Sequence, residues 1–327
     1  MSVIGIAGAG AWGSALANAA ALAGNDVILW MRDSAQCAAL AETRTNERFL
    51  PGIRLHDRIS LTTNLSDLAG ADAVLLVTPA QTTREMAAAL AAVLPPATPL
   101  VLCAKGIERQ TRAFLCNVVQ EVRPDAPVAV LSGPSFAHDV ARGLPTAVTL
   151  ACEDAALAET IAAALSGPTF RVYHATDIRG VEIGGAAKNV LAIACGAVAG
   201  RKLGESAKAA LVARGFAELL RFARAYGGQA ETLMGLSGLG DLVLTCSTPQ
   251  SRNFAFGMRL GEGLSPEAAA GGKLVEGAAT ASALMALARD KEIDMPIAEA
   301  VEQILSGAWT VDQAVDALMN RPLKSET

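Results

Sequence analysis

A five-residue apolar run, Val3 to Ala7, leads into Gly8-Ala9-Gly10-Ala11-Trp12-Gly13 and then into Ser14 to Ala23, an Ala-rich helical stretch. Strand, three glycines spaced G-x-G-x-x-G and helix, in that order, constrain this chain more than any other feature. The first glycine permits the tight turn, the second lets a pyrophosphate approach the backbone and the helix N-terminus, and the third lets helix pack on strand. A second apolar run, Val27 to Met31, ends about 20 residues further on, where a dinucleotide-binding βαβ unit reads the ribose. Arg32 and Asp33 stand there and point opposite ways. An acidic residue suits the 2′-hydroxyl of NAD, an arginine the 2′-phosphate of NADP. Arg32 lies nearer the strand end and a carboxylate repels phosphate, so the expected cofactor is NADP or NAD, with NADPH favoured.

The same rhythm continues through Ala73 to Val77, Leu100 to Cys103, Val128 to Leu131, Ala147 to Ala151 and Phe170 to Tyr173, with helical stretches between. Continuous Val, Ile and Leu runs suit strands buried on both faces, hence a parallel sheet covered by helices, with antiparallel additions open for the last one or two strands. After Tyr173 the pattern turns helical: Val181 to Val198, Ser206 to Tyr226, Glu276 to Arg289 and Ile297 to Leu305, with Leu242 to Thr245 ambiguous. The expected domains are 1–176, dinucleotide-binding, and 177–327, all-α and substrate-binding, which a length of 327 residues accommodates. The tail Lys324 to Thr327 is expected to fray.

Hydrophobic residues make up 52% and charged residues 18%, which excludes a disordered chain. A net charge of −5 argues against a general binder of nucleic acid or anionic membrane, so any anion must meet a local site. The six cysteines are scattered, without zinc spacing, and read as reduced core thiols. Residues 1–25 carry no charge but are broken by glycines and lack a basic start, unlike a signal peptide. Met86 to Ala104 is interrupted by Pro95, Pro96 and Pro99 and reads as helix, turn and strand. A cytoplasmic protein with no membrane insertion is expected, its oligomeric state left open with a homodimer among the options.

Three further segments carry chemistry. Lys188 is the one charged residue between Ile183 and Gly200, with Gly184 and Ala192 one helical turn either side, so its ammonium faces a cleft or an apolar contact. Near a second cation a desolvated lysine has a depressed pKa, which suits a general acid and base; Lys105, at a strand end, is the candidate for that cation. Asp241 follows the glycine-rich Gly235-Leu236-Ser237-Gly238-Leu239-Gly240 and is placed either to orient Lys188 or to cap a helix. Thr248 and Pro249 have the form of an N-cap and first-turn proline, which puts Ser251, Arg252 and Asn253 at a helix start, where N–H groups, a guanidinium and an amide make a phosphate site.

These segments, together with Ala104-Lys105-Gly106-Ile107-Glu108, Ser132-Gly133-Pro134-Ser135-Phe136-Ala137 and Val275-Glu276-Gly277, resemble in order the bacterial NAD(P)-dependent glycerol-3-phosphate dehydrogenases over about residues 3 to 310. The Lys188-Asn189 helix and Ser251-Arg252-Asn253 are more specific than the glycine loop. The resemblance implies an α/β fold, an N-terminal Rossmann-type doubly wound sheet followed by an all-α domain of the kind found in the 6-phosphogluconate dehydrogenase superfamily. It also implies reversible hydride transfer between NAD(P)H and dihydroxyacetone phosphate, giving sn-glycerol 3-phosphate for phospholipid synthesis. By the family pattern Lys188 is the catalytic acid and base, with Lys105, Asp241 and Asn189 around the reacting carbon. Gly133, Ser135, Ser251, Arg252 and Asn253 fall to the substrate, with Lys105, Lys188 and Asp241. Gly8, Gly10, Ala11, Trp12, Gly13, Arg32, Lys105, Ala137, Arg252, Val275 and Glu276 fall to the cofactor.

The chain departs from the pattern at Ala11, which removes a hydroxyl near the pyrophosphate, and at Ala199, Ser206 and Gly200 to Gly204 beside the site. Two rival readings stay open at this point. A keto-acid reductase of the same superfamily has no need of the phosphate cluster, and a dinucleotide-sensing regulator has no need of two convergent lysines.

Overall fold

The computed structural model describes residues 2–323, so the tail Lys324 to Thr327 lies outside the described residues. Two compact units emerge: one comprises the chain up to Lys105 plus Ala113–Glu182, the other Gly106–Arg112 plus the chain from Ile183 onward. The division falls inside the helix Ile178–Gly200, after its first turn and not at the expected 176/177. A helix can carry the chain across such a boundary because its hydrogen bonds are internal to it. Residues 106–112 were not expected to join the second unit.

The first unit is built on an eight-stranded sheet. The strands are β1 (Val3–Ala7), β2 (Asp26–Trp30), β3 (Thr45–Asn46), β4 (Leu50–Arg54), β5 (Ile59–Thr62), β6 (Ala73–Leu76), β7 (Leu100–Leu102), β8 (Val128–Ser132), β9 (Thr146–Cys152) and β10 (Phe170–Ala175). The sheet order is β10-β9-β8-β7-β6-β1-β2-β5, while β3 and β4 form a separate antiparallel pair. The six strands from β8 to β5 are parallel. β9 runs antiparallel to β8 and β10 parallel to β9, so both added strands run against the rest. The chain leaves β1 for β2 on one side and returns to β6 on the other, which opens a crevice at the carboxyl ends of β1 and β6.

Three strands between residues 45 and 62 were not foreseen, for a physical reason. β5 is an edge strand in which apolar Ile59 and Leu61 alternate with Ser60 and Thr62, and β4 contains Pro51 and Gly52. Neither presents the continuous apolar run of a doubly covered strand. Met86 to Ala104 does resolve into a helix, Thr83–Ala91, a turn through the prolines, and β7. Five of the six cysteine thiols are buried and all six are free.

From Ile183 onward the described chain is helical throughout and carries no strand. Asp177 Oδ1 accepts from Gly180 N and caps the start of the long helix Ile178–Gly200. That helix has the length and apolarity of a membrane span, but 89% of its apolar window is buried inside the protein, which marks a core helix. The ambiguous Leu242 to Thr245 stretch is helical, within Asp241–Ser247, and a single π-turn, Leu236–Gly240, feeds it. The helix Arg252–Gly261 lies against Ile178–Gly200 at glycine contacts: a Cβ on Gly196 would meet Phe254 O at 2.1 Å, and one on Gly257 would meet Ile193 O at 2.1 Å. Reciprocal glycines let the two backbones approach to a distance no other residue permits.

Candidate active site

In the first unit the glycine loop has the form its spacing demands. Gly8 sits at φ +122°, and a Cβ on Gly13 would lie 1.8 Å from the Gly8 carbonyl oxygen, so these two glycines are fixed by the turn itself. Gly10 differs, because a Cβ there would meet nothing within 4 Å. Packing gives no reason for that glycine; open space above a helix start does. Gly10 is the N-cap of Ala11–Leu22 and no side chain caps that helix, so its first N–H groups face the opening with the positive end of the helix dipole. Thr78 Oγ1, at the carboxyl end of β6 next to Gly8, is buried without a hydrogen-bond partner. An uncapped helix start, an empty cradle over Gly10 and an orphaned hydroxyl fit a dinucleotide pyrophosphate.

Ala11 is the first residue of that helix, and Trp12 is partly buried against the sheet core. Arg32 is exposed just past β2. Asp33 caps the next helix: its Oδ1 accepts from Ala35 N at 2.9 Å and Gln36 N at 3.2 Å as the N-cap of Ser34–Thr43. One oxygen of the Asp33 carboxylate is thus occupied by a helix start. Also in this unit, Lys105 Nζ donates to Gly133 O at 3.1 Å, and Ser135 Oγ donates to the same carbonyl at 3.1 Å. Lys105, Gly133 and Ser135 thus gather at the carboxyl ends of β7 and β8, and Ala137 begins the helix Ala137–Ala141 just beyond.

In the second unit Lys188 is 6% exposed. Its Nζ donates to Asp241 Oδ1 at 2.5 Å and to Thr245 Oγ1 at 2.7 Å. Its ammonium therefore ends on two polar side chains, and Asp241, only 1% exposed, orients it. Thr245 was missed by the sequence reading, although its signal was present: it stands four residues after Asp241, on the same helix face. Cys246, beside Thr245, is kept a thiol by a hydrogen bond with Cys195 and by burial, which push it well above its usual range. No thiolate competes with the lysine there.

The phosphate motif needs one correction. Ser251, not Thr248, is the N-cap: its Oγ accepts from Phe254 N at 3.3 Å and the helix begins at Arg252. Thr248 is extended, and its Oγ1 accepts from Gln250 N at 3.2 Å in a local turn. Starting at Ser251 turns Phe254, Phe256, Gly257 and Leu260 inward, and burying that face outweighs the earlier cap and proline. Arg252 is exposed at the first helical position, where guanidinium and free N–H groups coincide.

Asn253 is buried, and its side chain is engaged within the protein. Nδ2 donates to Asn189 Oδ1 at 2.9 Å and Oδ1 accepts from Gly277 N at 3.0 Å. The amide thus ties the Lys188-Asn189 helix to the start of Glu276–Asp290, where Val275 is the N-cap and Glu276 the first residue.

Comparison with known proteins places the chain in a family. The family described as NAD-dependent glycerol-3-phosphate dehydrogenase N-terminus matches residues 3–158, and its C-terminal counterpart matches residues 177–316. The chain is 63% identical to the NAD(P)+ glycerol-3-phosphate dehydrogenase of Methylobacterium radiotolerans over 99% of this chain and 98% of that one. It is 62% identical to that of Azorhizobium caulinodans, with the same coverage. The crystal structure of glycerol-3-phosphate dehydrogenase from Coxiella burnetii superimposes with a TM-score of 0.93 at 39% identity, covering 98% of this chain and 99% of that one.

Proposed function

This chain belongs to the NAD-dependent glycerol-3-phosphate dehydrogenase family, and from that premise we propose that it interconverts dihydroxyacetone phosphate and sn-glycerol 3-phosphate, with NADPH the preferred reductant. It is an NAD(P)-dependent oxidoreductase. The observation that carries the substrate assignment is the buried Lys188 ammonium, fixed by Asp241 and Thr245 on a helix packed against the one that starts at Arg252.

A nicotinamide dinucleotide bound at the glycine loop supplies the hydride. Negative charge develops on the carbonyl oxygen during reduction, and Lys188 stabilises it and donates the proton. Asp241 and Thr245 hold the Nζ so that no reorientation is needed at that moment. Lys105 adds positive charge by the family pattern, supported by its fixed contact with Gly133 O. Arg252 and the N–H groups of its helix start grip the phosphate. Asn253 contributes its backbone N–H there, since its side chain is bound to Asn189 and Gly277. Binding energy gathered at the phosphate positions a carbonyl several bonds away.

In the cell this reaction supplies the backbone for glycerophospholipids, which accords with a cytoplasmic enzyme. A homodimer remains consistent with the family assignment and is tested by light scattering. The decisive experiment follows NADPH oxidation with dihydroxyacetone phosphate, unphosphorylated dihydroxyacetone and small 2-keto acids side by side. Turnover confined to the phosphorylated ketone supports the reading; faster turnover of a keto acid overturns it.

A further inference from the structure

Asn46 is buried, and its Nδ2 donates to Ala9 O at 3.0 Å and to Ser14 Oγ at 2.8 Å, which pins its segment to the glycine loop and the first helix. Gln36 Nε2 donates to the same Ala9 carbonyl at 2.8 Å. Asn46 also pairs with Leu50, so Glu47, Arg48 and Phe49 form a tight connection between β3 and β4, closed by Phe49 N donating to Asn46 O at 3.1 Å. Arg48 thereby arrives at the end of β2. Its Nη1 lies 3.8 Å from Asp33 Oδ2, its guanidinium stacks 4.9 Å from the Phe49 ring centroid, and its side chain is 70% exposed. Arg48 thus lies beside an Asp33 carboxylate whose charge is already offset by the N–H groups of Ala35 and Gln36, at the strand end where Arg32 is also exposed.

We propose that Arg48 is a second specificity-determining residue for the cofactor, gripping together with Arg32 the 2′-phosphate that distinguishes NADP from NAD. The inference rests on the NADPH preference proposed above. A ribose phosphate monoester carries between one and two negative charges near neutral pH, which a single exposed arginine next to Asp33 matches poorly and a pair matches well. The segment that delivers Arg48 is fixed by a buried side chain, and stacking on Phe49 limits the rotamers that must be ordered on binding. With NAD no 2′-phosphate is present and Arg48 has only an exposed pair with Asp33, which contributes little.

The test titrates adenosine 2′,5′-bisphosphate and adenosine 5′-monophosphate, the adenylate halves of NADP and NAD, into wild type, Arg48→Ala and Arg32→Ala by calorimetry, with KM for NADPH and NADH measured in parallel. Arg48→Ala should weaken the bisphosphate about five- to tenfold and raise KM for NADPH similarly. The monophosphate and NADH should move less than twofold, and Tm should not shift. Arg48→Lys should recover part of the loss. If Arg32→Ala loses selectivity and Arg48→Ala does not, Arg48 has no such role and the NADPH reading survives. If wild type itself binds the two probes equally, the NADPH reading fails and this inference falls with it.

Discussion

Replacing Lys188 with Met removes the ammonium, keeps most of the volume and strands Asp241 in the interior, so it separates what the lysine does for the reaction from what it does for the fold. Loss of general acid assistance lowers kcat by roughly 10² to 10⁴, equivalent to about 3 to 5 kcal/mol of transition-state stabilisation. On the stability side, Asp241 is 1% exposed and loses the ammonium that lies 2.5 Å from its Oδ1, while Thr245 Oγ1 stays 3.4 Å from the same oxygen. Breaking a buried pair typically costs about 3 to 5 kcal/mol.

Urea denaturation at pH 7 should therefore show Lys188→Met about 3 to 5 kcal/mol below wild type. Adding Asp241→Asn should restore most of the stability at pH 7 and none of the turnover. NADPH binding, followed by fluorescence, should be nearly intact in the folded variants. A double variant no more stable than Lys188→Met would refute Asp241 as the charge that Lys188 neutralises. Near wild-type turnover in Lys188→Arg would show the lysine to be a point charge, since a guanidinium does not release its proton near neutral pH, and would move the proton donor elsewhere, to Lys105 first.

Arg252→Ala should raise KM for dihydroxyacetone phosphate by about ten- to a hundredfold, the loss of a charge-assisted partner; a variant with unchanged KM for both substrate and cofactor would sink the phosphate assignment. Gly10→Ala should fold with wild-type Tm and bind NADPH more weakly, because its methyl enters the open cradle, whereas Gly13→Ala should fail on stability too, its Cβ meeting the Gly8 carbonyl. Glu218 accepts from Ile297 N and Ala298 N at a buried helix start, and burial pushes its carboxyl up to about 7 from 4.5. The folded state therefore prefers the protonated acid, so this contribution is full below 4.5 and is lost as pH rises through 7. The stability difference between wild type and Glu218→Gln should shift against wild type by about 2 kcal/mol from pH 5.5 to 8.5, measured by urea unfolding; a constant difference would mean that Glu218 does not titrate in that window.

The first unit was largely legible from the chain because its signals are local. Strands buried on both faces must be continuous apolar runs, and the turn after β1 admits only glycine where φ is +122° or where a Cβ would strike a carbonyl. The identity of Lys188 as an isolated charge in an apolar helix, and of Ser251-Arg252-Asn253 as a helix start, could be read for the same reason: burial of a cation and capping of a helix depend on residues within a turn or two. Edge strands β3 to β5 were not legible, because an exposed edge needs no apolar run.

Partnership across the chain was decided by tertiary structure alone. Whether Asp241 would cap a helix or meet Lys188, 53 residues away, depended on the packing of helices through small residues, and no local pattern specifies which of two plausible contacts a carboxylate will make. Asp33 went the other way: it satisfied its own helix start, and so the acidic residue at the end of β2 became a cap with an arginine beside it. The sequence pointed to Thr248 as the cap, and the folded chain starts the helix at Ser251 instead, with Phe254 buried. A sequence fixes which groups must be satisfied; only the folded chain, weighing apolar burial against each polar contact, fixes by which partner.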